Sequence, residues 1–212
     1  MLVAIDKFSK WIEAQPIGKI KSEQAVLFFT DIVFRFGVPN LIIITDNDTQ
    51  FTGKIFLAFC DSYHIRVDWS AVAHPQTNGQ VERANGIILQ GLKPRIFNKL
   101  NKFGRRWLTE VPSVIWSLRT TPSRATGFTP FFLVYGAEAM LPTDLEYGSP
   151  RVKAYQEQQN QQAREDSLDQ VDEARDVALL HSARYQQSLR RYQVQKVRRR
   201  DLDKGDLVLR FR

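Results

Sequence analysis

Two carboxylates set far apart in the chain mark the place where this sequence could do chemistry. The run Leu41-Ile-Ile-Ile-Thr-Asp-Asn-Asp48 ends in Asp46, Asn47 and Asp48, and 35 residues separate Asp46 from Glu82. Leu41 to Ile44 is too short for a helix and rich in β-branched residues, so it reads as a buried strand. Carboxylates at the C-terminal mouth of such a strand stand where α/β proteins place ligands. Glu82 opens a helix. Two carboxylates delivered by separate elements make a hard-oxygen site suited to Mg²⁺ or Mn²⁺. A plainer reading stays open, in which Asp46-Asn47 is a turn and Glu82 a first-turn acid favoured by the helix dipole.

The elements that must position these groups follow from periodicity. Residues 2–17 hold two short apolar or alternating runs, which predict an antiparallel hairpin turning near Lys7–Ser9. Ser22 is expected to cap an amphipathic helix carrying Ala25, Val26, Phe29, Ile32, Val33 and Phe36, with Gly37 and Pro39 stopping it. The strand at 41–45 then returns to the sheet. Phe51-Thr52-Gly53 opens a second helix to about Tyr63, with Ile55, Phe56, Phe59 and Cys60 expected in the core. Residues 66–70 read as a short strand, and 71–79 as a loop of small and turn-forming residues beside the site. A helix from Gly79 carries Glu82 to about Lys99, with a kink expected at Pro94. Another spans 105–119 with Trp107, Leu108, Val111, Ile115 and Leu118 on one stripe, and Pro112 able to shift its start. Residues 141–150 mark the edge of the compact part. Residues 151–193 lack Pro and Gly and predict a long exposed helix with a thin seam of Leu168, Val171, Ala174, Ala178, Tyr185, Leu189 and Tyr192. Lys204 to Phe211 reads as a turn followed by one strand.

Charge distribution narrows the partners. The net charge is +7. Residues 1–183 balance 20 basic against 20 acidic side chains, while residues 184–212 carry 10 basic against 3 acidic, so the whole excess lies in that tail. A basic tail that includes Arg198, Arg199 and Arg200 points to a nucleic acid, although a solvated charge run is the simpler alternative. One cysteine, Cys60, excludes an internal disulfide, and with three histidines beside it a structural zinc site is not expected. No apolar run approaches the length of a membrane span, and Asp6, Lys7 and Lys10 interrupt the N-terminal stretch where a signal peptide would be apolar.

The words around the two carboxylates carry a resemblance. Thr45-Asp-Asn-Asp-Thr-Gln-Phe51, His74-Pro-Gln-Thr-Asn-Gly-Gln-Val-Glu-Arg83, Arg119-Thr-Thr-Pro122, Ala125-Thr-Gly-Phe-Thr-Pro-Phe131 and Leu133-Val-Tyr-Gly136 closely resemble integrases of gypsy-type retrotransposons. The resemblance implies an α/β, ribonuclease H-like mixed sheet with flanking helices, followed by a long helical linker. It also implies polynucleotidyl transfer at two Mg²⁺ or Mn²⁺ ions held by two aspartates and a glutamate. Asp46 matches the second aspartate and Glu82 the glutamate, as catalytic and metal-binding residues. Asn47, Gln76, Asn78 and Arg83 become candidates for DNA contact. The expected divisions are a catalytic core at 1–147, a helical linker at 148–196 and, at 197–212, the start of a small β-barrel domain. The expected partners are element and target DNA and further copies of the chain, in the nucleus.

Three departures accompany the match. The family's first aspartate lies on a strand upstream of the hairpin that Leu2–Trp11 matches, so the central first strand and that ligand are expected to be missing through N-terminal truncation. Asp6 does not align with that ligand. Asp48 stands where the family usually has glycine, and Gly86 where a DNA-contacting lysine is common. The expectation is an integrase fragment whose ancestral reaction is metal-dependent DNA strand transfer. The alternative is a non-catalytic nucleic-acid-binding or oligomerising relic.

Overall fold

The computed structural model describes residues 1–38, 42–45, 48–69, 79–97, 107–153 and 160–196. Two strands open the chain, β1 (Leu2–Ile5) and β2 (Ile12–Gln15), paired antiparallel with Ile5 opposite Ile12. The hairpin closes through the Asp6 amide, which donates to the Trp11 carbonyl at 2.9 Å. Helix α1 (Ser22–Phe36) leads to β3 (Ile42–Thr45), which pairs in parallel with β4 (Arg66–Trp69). Between them lie α2 (Thr49–Thr52) and α3 (Lys54–Ser62). The expected single sheet takes the form of two two-stranded sheets among the described residues.

Strand β1 packs on both faces, with Leu2 buried and the rest partly buried, and its alternation divides the core. Leu2 and Ala4 pack with Ala25, Phe28 and Val33 of α1, Phe56 and Cys60 of α3, and Ile43 of β3. Met1, Val3 and Ile5 pack to the other side, against α4 (Gly79–Phe97) and α5 (Trp107–Arg119). Successive side chains of a strand point to opposite faces, so four residues serve two cores. Ala84, Ile88 and Leu92 of α4 meet Val111, Val114 and Ile115 of α5 beneath Ile12 of β2.

Several expectations need correction. Ser22 is the first residue inside α1, not its cap; Lys21 holds the cap position without a side-chain bond, and the Ser22 hydroxyl donates to the Thr49 carbonyl instead. The second helix breaks at Gly53 into α2 and α3. Ile55 is 52% exposed and Leu108 43% exposed among the described residues, so the apolar stripe of each helix is only partly buried. Pro94 lies inside α4 and Pro112 inside α5, so neither residue ends its helix.

The long helix is not merely exposed. After α6 (Pro130–Tyr135), α7 (Pro142–Glu146) and α8 (Pro150–Lys153), helix α9 (Asn160–Lys196) returns to pack on α6 and the turn before it. Val171 and Ala178 of its seam are buried there, along with Ser182, whereas Leu189 and Tyr192 stay exposed. Arg175 donates to the Leu133 carbonyl, and His181 Nδ1 lies 3.1 Å from the Thr126 carbonyl oxygen. Gly127 and Gly136 make the landing possible. Both have positive φ, and a Cβ on either would come within 2.9 Å of His181 or Val171. Thr129 caps α6 by accepting the Phe132 amide, with Pro130 at its first position. Among the described residues no helix is long and apolar enough to cross a membrane.

Candidate functional site

A cavity of about 870 Å³ lies between β1, α1 and β3. Its apolar lining includes Leu2, Ala4, Phe28, Ile32 and Ile43; its polar lining includes Asp6, Thr45, Asp48, Gln50, Gln80 and Asn85. Thr45 is the last residue of β3, is buried and lines the cavity, so the chain leaves the sheet beside it. Gln80 and Asn85 bracket Glu82 on the first turns of α4. The residues flanking Asp46 and those flanking Glu82 therefore line one cavity, although 35 positions separate the two carboxylates.

Glu82 itself is exposed, as is its neighbour Arg83, and among the described residues no ion pair involves either. Asp46, Asn47, Gln76, Asn78, Arg198, Arg199 and Arg200 lie outside the described residues. Asp48 answers one question raised by the sequence. Its φ of −65° and ψ of 148° are extended, so aspartate in place of glycine carries no left-handed strain. The Gln50 amide donates to Asp48 Oδ2 at 3.1 Å, and the Asp48 carbonyl accepts from Phe51. Asp6, by contrast, is committed to the hairpin turn. One of its oxygens accepts from both the amide and the hydroxyl of Ser9, each at 2.6 Å. Among the described residues no three His, Cys, Asp or Glu side chains gather into a metal cluster.

A second polar cluster, under β2, was not anticipated from the sequence. Glu13, with its side chain 10% exposed, accepts from Trp11 Nε1 at 2.7 Å and from both terminal nitrogens of Arg35 at 3.0 and 3.1 Å. Arg119 Nη2 adds a contact at 2.9 Å, and the same guanidinium donates to the Ile12 carbonyl and stacks 4.1 Å from the Trp11 ring. Burial works against the charge of Arg35, but Glu13 and Asp31 outweigh it and hold the group above its ordinary pKa. Burial dominates at Arg119 and draws its pKa down despite Glu13. Phe36, Phe131 and Tyr135 surround Trp11, so the segments 119–122 and 125–136 converge on the hairpin. The sequence held one usable signal: Trp11 and Glu13 are two apart, and alternation puts both on one face.

Known proteins resemble this chain in sequence and in fold. Residues 1–75 match the model of the integrase core domain. Over 138 residues the chain is 34% identical to the Gag-Pol polyprotein of avian reticuloendotheliosis virus, a match covering 64% of this chain and 11% of that protein. The chain spans about a tenth of the length of the curated relatives it matches. Among solved structures it is similar to the HTLV-2 integrase catalytic core domain in complex with magnesium, trimeric form. That match has a TM-score of 0.52 and 26% identity, and covers 63% of this chain and 82% of that one. The catalytic core domain of BIV integrase superposes with a TM-score of 0.50 at 23% identity, covering 62% and 82%. The fold is that of integrase catalytic cores, an α/β arrangement of the ribonuclease H-like kind.

Proposed function

We propose that this chain is the catalytic-core part of a gypsy-type retroelement integrase, built for transfer of element DNA ends into target DNA. The observation that carries the reading is the single cavity shared by the flanks of Asp46 and of Glu82. The donor chemistry fits hard divalent cations: both proposed ligands are carboxylates, and Glu82 faces solvent without an internal counter-charge among the described residues. Asp46 and Glu82 would hold Mg²⁺ or Mn²⁺, which would supply charge stabilisation for in-line attack on a phosphodiester. Asn47, Gln76, Asn78 and Arg83 would contact the DNA, with Arg198, Arg199 and Arg200 adding salt-sensitive attraction.

The same reading assigns residues 1–147 to the core, 148–196 to a helical linker and 197–212 to the start of a C-terminal barrel. Its setting would be the nucleus, as a homo-oligomer on DNA. Neighbouring structures support the oligomer, since an HTLV-2 integrase core appears in trimeric form and another neighbour is a simian T-cell lymphotropic virus intasome. The cavity is read as the place of a further, central strand bearing the first aspartate. Supporting this, β1 pairs only with β2 and β3 only with β4 among the described residues, and both strands line the cavity. Unpaired edges facing one another are a template for a strand.

A strand-transfer assay with Mg²⁺ or Mn²⁺ tests the reading. Any transfer the chain supports is expected to be lost in Asp46→Asn and Glu82→Gln; activity surviving both substitutions would sink it. A second reading, a DNA-binding chain without catalysis, draws on the basic excess of residues 184–212. It is favoured if no transfer occurs while deletion of that segment abolishes salt-dependent binding.

A further inference from the structure

Lys10 ends the turn of the β1–β2 hairpin in the left-handed region, at φ 63°. A side chain there crowds its own backbone, and glycine avoids the penalty. Its ammonium is also half-buried: lost hydration draws its pKa down, Asp6 opposes the fall and Lys7 adds to it. Two energetic costs thus meet in one lysine, and strained or desolvated groups of this kind collect at binding sites.

The ammonium is directed at the candidate site. Nζ donates to the Lys7 carbonyl and, at 3.1 Å, to Oε1 of Gln80. Gln80 lies on the first turn of α4, two residues before Glu82 and about 3 Å from it along the helix axis. An ammonium has three donors, and both of these acceptors are neutral. Among the described residues no carboxylate lies within ion-pair distance of Lys10, so its charge is not cancelled by direct pairing there.

We propose that Lys10 is a DNA-phosphate contact: Gln80 and the Lys7 carbonyl hold its ammonium beside the first turn of α4, leaving a third N–H for the backbone of the duplex that Glu82 serves. The inference rests on the DNA-transfer reading above. Because two hydrogen bonds already restrain the side chain, little of its rotamer freedom remains to be lost on binding.

The test is fluorescence anisotropy with a labelled DNA duplex across a salt series, using the full chain, Lys10→Gly and Lys10→Arg. Lys10→Gly suits the backbone, so its melting temperature is expected to be equal or higher. Its affinity is expected to fall about fivefold. The slope of log affinity against log salt should shrink by about one, which a purely structural role would not produce. Lys10→Arg is expected to keep both affinity and slope. An unchanged slope in Lys10→Gly, with the parent chain still binding DNA, overturns the role of Lys10 and leaves the DNA reading standing. A loss in Lys10→Arg equal to that in Lys10→Gly also overturns it. Failure of the parent chain to bind the duplex overturns both.

Discussion

Glu13 and Glu82 are carboxylates on elements that flank the same hairpin core, and they meet opposite fates. Glu13 is enclosed by Trp11, Arg35 and Arg119, so its charge is cancelled within the chain. Glu82 stands in solvent on the first turns of α4, with no ion pair among the described residues. The difference separates structural from chemical use of one functional group. A carboxylate saturated by internal donors fixes geometry and has no capacity left for a ligand. One left open beside the polar residues of the cavity can take a cation from outside. The segments that carry the integrase resemblance divide along this line among the described residues: Arg119, Phe131 and Tyr135 help build the enclosure, while Thr45, Asp48, Gln50 and Gln80 line the cavity.

The comparison is broken most directly by neutralising each carboxylate in turn. Glu13→Gln leaves Arg119 buried without its counter-charge and should cost about 3 kcal/mol of stability. Glu82→Gln should change stability by less than about 0.5 kcal/mol while removing any strand transfer the chain supports. Urea unfolding of both variants, read with the transfer assay, checks the pair; equal destabilisation would erase the distinction.

Cys60 probes the core beneath the mouth. Burial pushes its thiol from 9.0 up to about 11. As pH rises past 9 the unfolded chain ionises first, so this contribution is complete below pH 9 and is lost by about pH 11. The loss should be on the order of 2 kcal/mol. Denaturation midpoints between pH 8 and 11, compared with Cys60→Ala, measure it; identical pH profiles would remove the cause.

Gly136→Ala tests whether α9 is part of the enclosure. The new methyl group meets Val171 at 2.9 Å on a backbone with φ 75°. A loss of about 1–2 kcal/mol is expected. Faster amide exchange confined to α9 would locate it, and unchanged exchange there would contradict the docking. The smallest effect belongs to the open side. Gly86 has nothing within 4 Å of where a Cβ would sit, so Gly86→Ala should add about 0.5–1 kcal/mol through helix propensity alone. A lowered melting temperature would show that the space is needed.

Much of the local structure was legible in the residues. The hairpin, α1, the β3 strand and the helix bearing Glu82 all followed from short-range alternation, helical spacing and the breakers that bound them. The reasoning failed where burial depends on a neighbour. Ile55 and Leu108 share the apolar stripes of the buried Phe56 and Val111, yet both stay exposed among the described residues. Helix α9 has a seam too thin to predict where it docks; two glycines and a carbonyl on a distant segment decide that.

The candidate site divides in the same way. Sequence alone determined that Asp46 follows a buried strand, that Glu82 opens a helix, and that 35 residues separate them. Those are properties of neighbouring residues and need no fold. Only the tertiary structure decided that Thr45, Asp48, Gln80 and Asn85 line one cavity, that Lys10 reaches Gln80, and that Glu13 is enclosed. Arg119 reaches Ile12 across 107 positions, and such contacts exist only after β1 has packed both of its faces. Local preferences choose the elements. The shared burial of β1 brings them together.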